Sequence, residues 1–207
     1  MTDKFPDSDF GRQFKSVAQM IASHECRGSD RDLFALNIEM FDHHRNVNTL
    51  LPYYFDLVNE ALTSFVNEMK SLGMWDEVTV VVSSDFGRTL SPNSEAGTDH
   101  AWSGHSFILG GALDGGKIHG RYPYDLSEKS SLNIGIGRLI PQLPWEAMWN
   151  PVGQWLGIYG KDLDHALPNR QKFYSTLLQK KDVFLDDEPS TRNSCSGEGE
   201  YVSCVNS

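Results

Sequence analysis

The chain has 207 residues, 39% of them apolar, and a formal net charge of -10. That length suits one domain with a real core, and the acidic balance argues against nucleic acid, whose binders carry a basic footprint. No stretch approaches the roughly twenty consecutive apolar residues of a membrane span, and Met1-Thr2-Asp3-Lys4 lacks the apolar region of a signal peptide.

Phe10, Phe14, Val17, Ala18 and Ile21 recur at helical spacing behind Ser8 or Asp9, so residues 9–24 are predicted to form an amphipathic helix lying on a sheet. Residues 33–41 are short and apolar-rich, the pattern of a mostly buried strand, and they run into Asp42-His43-His44. From Thr49 to Leu72 apolar residues return every three or four positions and Gly73 terminates the run, which predicts a second helix with Pro52 in its first turn. Val78 to Ser83 is continuous and β-branched, the pattern of a parallel strand covered on both faces, and it too runs into an acid, Asp85.

Residues 88–104 are polar and turn-forming. Ser106 to Leu109 opens another strand, which stops at Gly110-Gly111. A further helix is expected near Trp145 to Leu156, broken by Pro151. Beyond about Tyr174 the composition turns polar, so residues 1–174 are expected to form the domain and 175–207 a flexible tail. The order of elements predicts an α/β fold with a mostly parallel central sheet and helices on both faces, with ligands gathering outside the strand carboxyl ends, where Asp42 and Asp85 lie.

Cys26 stands alone in the sequence, and Cys195 and Cys204 are close enough either to close a small disulfide loop or to remain two thiols of the tail. Three cysteines make no zinc-finger pattern. The polar segments 41–44, 84–89 and 97–100 instead concentrate carboxylate and imidazole, a donor set for zinc, manganese, magnesium or iron. Asp42 and His44, two apart, project to one side of extended backbone as two ligands of one ion should; the alternative is a surface turn with Asp42 capping the next helix. His43 is the other imidazole able to fill the place of His44. Asp99 is a candidate hydrogen-bond acceptor behind a metal-bound imidazole. Asp85 is either a ligand or the ion-pair partner of Arg88, and Arg88 is either a forked clamp for an ester oxyanion or an exposed salt-bridging residue.

Phe41-Asp42-His43-His44, Ser83-Ser84-Asp85-Phe86-Gly87-Arg88-Thr89, Gly97-Thr98-Asp99-His100-Ala101-Trp102, and Gly110-Gly111 with Gly115-Gly116 through Gly120-Arg121-Tyr122-Pro123 resemble, in the same order, the family catalogued as domain of unknown function 1501. The resemblance extends through Gly137-Arg138-Leu139-Ile140-Pro141, Trp155-Leu156-Gly157 and Leu167-Pro168-Asn169. That family is placed in the alkaline-phosphatase and sulfatase superfamily, which implies a central sheet, helices on both faces and hydrolysis of phosphate or sulfate esters at a metal centre. By matching, Asp42, His44 and His100 are implied to hold one metal and Asp85 to belong to a second. Phe86 stands where the phosphatases carry a histidine ligand, so one metal site rather than two is expected. The resemblance further implies the carboxyl-terminal portion of an alkaline-phosphatase-like domain, without the strand region that bears the nucleophile, and relatives that are often exported.

Two functions follow. One is a metal-dependent hydrolase of small phosphate or sulfate esters, with Arg88 on the substrate and no serine or threonine matched as nucleophile. The other is a non-catalytic binding or scaffold subunit that kept the fold and offers an uncovered sheet edge to a protein partner.

Overall fold

A computed structural model describes residues 4–186. Helix α1 spans Asp9–Ala22, and the Ser8 hydroxyl accepts a hydrogen bond from the Gly11 amide at 3.1 Å, satisfying one of the amides left unpaired in a first turn. A single turn, α2, follows over His24–Arg27. The long helix α3 covers Val47–Ser71 and starts earlier than its apolar period suggests, so Pro52 lies inside the helix rather than in its first turn. Gly73, at φ +70°, reverses the chain at its end in a conformation that costs glycine little.

α1 and α3 bury their apolar faces against one another. Phe14, Val17 and Ala18 meet Ala61, Leu62, Phe65 and Met69, with the Phe14 and Phe65 rings 5.0 Å apart. Each large side chain removed from water in this way contributes about 1.5–3 kcal/mol before entropy is counted.

The expected mostly parallel central sheet is not what the chain builds. Among the described residues there are two small antiparallel ribbons: β1 (Thr79–Val82) with β4 (Phe107–Gly110), and β2 (Gly87–Arg88) with β3 (His100–Ala101). Thr79 pairs with Gly110, Val80 with Leu109, Val81 with Ile108 and Val82 with Phe107. The Val80-Val81-Val82 run does have cover on two sides. Val80 and Leu109 pack toward the α1–α3 core, while Val81 and Ile108 pack toward Val152, Val183 and Phe184. Continuous β-branched sequence thus reported burial on both faces, which it carries equally well in either strand direction. Direction is decided by the connection, and residues 83–106 contain no crossover helix to return the chain to the same end.

Residues 33–41 are extended but have no strand partner among the described residues. The segment lies along α1 instead, with Phe34 and Leu36 turned to the core. The Gln13 side-chain amide serves the Asn37 backbone in place of a neighbouring strand, donating to its carbonyl at 3.2 Å and accepting from its amide at 3.4 Å.

Helices α4 (Trp145–Trp155), α5 (Gly160–Ala166) and α6 (Lys180–Val183) form the second layer, and α4 continues through Pro151 rather than breaking there. Residues 177–184, which composition places in the tail, contribute Leu177, Val183 and Phe184 to the buried set. Phe184 stacks on Trp155 at 5.5 Å and bridges to Leu113. Cys26 takes part in a disulfide rather than standing alone, and the suggested Cys195–Cys204 pair lies outside the described residues.

Candidate metal centre

The ribbon β2–β3 sets Arg88 opposite His100 in register. Between them the chain turns back through residues 91–98 and is sewn to the segment entering α3. Thr98 N donates to His43 O at 3.1 Å, Val47 N to Ala96 O at 3.0 Å and Asn46 N to Glu95 O at 3.3 Å. Gly97 lies so close to this segment that a Cβ there would fall 2.1 Å from the His44 carbonyl carbon. Backbone contact of this closeness is what brings Asp42 and His44 to His100 across more than fifty residues of sequence.

The three side chains converge. His100 Nε2 is 2.8 Å from Asp42 Oδ1, His44 Nε2 is 3.0 Å from the same oxygen, and the two imidazole nitrogens are 3.0 Å apart. Among the described residues they form the one group of three with ligand atoms close enough to share an ion. All three are open to solvent, with side chains 44–52% exposed, so a small molecule can reach them. Nitrogen from imidazole and oxygen from carboxylate suit the divalent ions expected from the sequence, and the residues present fit such an ion.

Surrounding groups orient this trio. His44 Nδ1 is 3.3 Å from Asp99 Oδ1, a contact that orients the ring with Nε2 turned toward the cluster. Asp99 also accepts from Asn93 Nδ2 at 3.2 Å. That bond, opposed by partial burial and helped by His44 and the charge of Arg138, holds the Asp99 carboxyl below the usual range. Burial would push the Asp42 carboxyl up, but His100, the charge on His44 and Arg88 outweigh it and bring it down. The Phe86 ring lies flat against His100, the centroids 4.1 Å apart.

The remaining sequence candidates fall as follows. Arg88 is turned inward. Its Nε donates to Thr98 Oγ1 at 3.0 Å and its two terminal nitrogens to Asp42 Oδ1 and Thr98 O, each at 2.6 Å. Asp85 is exposed and is not in the convergent group. His43 is buried against Tyr54 and Phe41, where loss of hydration and the charge of Arg88 lower its pKa against a smaller opposing pull from Asp42. His44 is therefore the imidazole that joins the cluster. Asn93 is the residue the sequence reading missed. Its Oδ1 accepts from the Glu95 and Gly97 amides at 3.0 Å while its Nδ2 reaches His44 O and Asp99. An asparagine four residues before a glycine in a polar turn is a signal for such a side-chain turn.

The sequence pattern of the family described as protein of unknown function (DUF1501) matches residues 3–132, and the chain belongs to that family. The matched span contains Asp42, His44, Asp99 and His100 together with both ribbons. No curated protein and no solved structure matches the chain.

Proposed function

We propose that this chain is a metal-dependent hydrolase of phosphate or sulfate esters, and that its family belongs to the alkaline-phosphatase and sulfatase superfamily. The observation that carries the reading is the convergence of Asp42, His44 and His100 on one solvent-open point. A divalent ion bound there supplies Lewis acidity to an ester oxygen and acidifies a bound water. The chain's own residues do the rest. Asp42, His44 and His100 would hold the ion, Asp99 orients the His44 ring toward it, and Arg88 donates to the same Asp42 oxygen that faces the two imidazoles. Arg88 reaches a substrate oxyanion only by giving up a bond to Asp42 or Thr98.

Elemental analysis of the purified full chain, beside Asp42→Ala and His100→Ala variants, tests this reading together with hydrolysis of an aryl phosphate and an aryl sulfate. Bound metal and ester turnover are expected in the parent and neither in the variants. A parent that takes up no divalent metal ends the proposal.

A second reading, a non-catalytic subunit with a protein partner, has its own support. Among the described residues β4 pairs only with β1, and beside it lies an apolar groove of about 510 Å³ lined by Phe55, Val58, Leu62, Val66, Phe107 and Leu109. Phe55 and Phe107 are 54% and 45% exposed, and an unpaired strand edge next to apolar surface is a place for another chain to add a strand. A monomer at all concentrations in sedimentation, turning over esters by itself, removes this alternative.

A further inference from the structure

We infer that Arg138 is the residue that holds the charged oxygens of the ester, the role expected of Arg88 from the sequence. This rests on the reading that the cluster serves ester hydrolysis and goes beyond it by naming the group that takes the oxyanion. Of the arginines that border Asp42, His44 and His100, two are spent. Arg88 has all three guanidinium nitrogens committed, to Thr98 Oγ1, Asp42 Oδ1 and Thr98 O. Arg45, next to His44, is paired with Glu95. Arg138 donates from Nε to the His100 carbonyl at 3.3 Å, and among the described residues its two terminal nitrogens serve no acceptor. The bond seats the guanidinium against a residue of the cluster, and its charge also reaches Asp99, the acid beside His44. Asp42 and Asp99 repel an anion, so an oxyanion here needs a cation that is not already neutralised. The edge formed by two terminal nitrogens of a guanidinium is the fork that two oxygens of one tetrahedral oxyanion accept.

The loop that carries Arg138 is the counterpart of the one that carries Asp99 and His100. Asn133 Oδ1 accepts from the Gly135 and Gly137 amides at 2.9 and 3.2 Å, as Asn93 Oδ1 accepts from Glu95 and Gly97. Each asparagine closes a turn on a glycine four residues later, and each glycine is pressed against another stretch of backbone. A Cβ on Gly137 would lie 2.7 Å from the Leu90 nitrogen, as one on Gly97 would meet the His44 carbonyl. Leu90 N donates to Gly137 O and Ser103 N to Leu139 O, both at 3.1 Å. Arg138 is thus anchored through both of its neighbours, to the chain leaving β2 and to the chain leaving β3. A donor placed in this way gives up little freedom when a ligand arrives.

The test is isothermal titration of the purified full chain with inorganic phosphate and inorganic sulfate, with metal content measured on the same samples. The parent is expected to bind at least one anion. Arg138→Gln is expected to bind it about 10- to 100-fold more weakly with metal content unchanged, and Arg138→Lys in between, because lysine keeps the charge and loses the fork. Equal binding by the parent and Arg138→Gln overturns the assignment, as does a parent that binds neither anion. Loss of metal and anion together in Arg138→Gln means that the side chain only props His100, and it overturns the assignment too. Metal uptake and ester turnover by the parent decide the hydrolase reading separately. Arg138-dependent anion binding by a parent without metal supports the anion site while ending the metal reading.

Discussion

Phe86 stacks on the His100 imidazole, with the two rings inclined by 17° and their centroids 4.1 Å apart. Phe86 thus forms a wall that holds the His100 ring in place. Replacing Phe86 with alanine removes that wall and frees the His100 ring to rotate. Metal affinity is expected to fall about 10-fold, as for other changes just behind a ligand shell, measured by competition with a chelating dye. Phe86→Tyr keeps the stack and is expected to bind as the parent does; equal affinities in all three proteins would leave Phe86 without this role.

His43 and His44 are neighbours with opposite surroundings, one buried beneath Tyr54 and the other facing the cluster. His43→Phe is expected to keep both fold and metal, because an aromatic ring packed on Tyr54 and Phe41 is retained. His44→Phe is expected to lose the metal with the fold intact. Isothermal titration of both variants with manganese separates them, and the reverse pattern would move the site to His43.

Gly97 is required by space. A methyl group on it would lie 2.1–2.4 Å from the His44 carbonyl group and the Arg45 nitrogen, all of them backbone atoms. Gly97→Ala is expected to cost about 3 kcal/mol and to open the loop that carries Asp99 away from His44. Urea unfolding measures the first effect and loss of metal affinity the second.

Asp164 sits between Gln171, which donates to it at 2.9 Å, and the guanidinium of Arg170, which also reaches the buried Asn150. The hydrogen bond from Gln171 and then that from Arg170 hold its carboxyl below the usual range against the opposing effect of burial. A carboxyl lowered by folding stabilises the fold above its unfolded pKa, about 3.9, and loses that contribution as pH falls through the lower folded value. Stability should therefore fall with acid more steeply in the parent than in Asp164→Asn. Thermal melts from about pH 5 downward check this, and parallel curves would contradict it.

How much of this was legible in the sequence depended on what each pattern encodes. The period of α3 and the Ser8 cap of α1 are local, and the elements formed close to where the residues placed them. Asp42, His44 and His100 were nameable because their types and spacing are chemical, although their meeting depends on long-range contacts such as that of Gly97 with His44. The parallel sheet failed because apolar β-branched sequence reports cover and not strand direction. The strand expected at 33–41 failed because the pairing groups of Asn37 were taken by a glutamine side chain on α1. Asn93 was passed over since it carries no charge and its partners belong to two different loops.

Asp42 and His100 are 58 residues apart in the chain, and α3, β1 and β2 all lie in the loop between them. A cation bound as proposed would grip both ends as a removable cross-link around that loop and would restrict the unfolded chain far more than the folded one. Chelation should consequently be felt well away from the ion, as faster amide exchange in the middle of α3, and the availability of metal would help set how long the chain survives a protease.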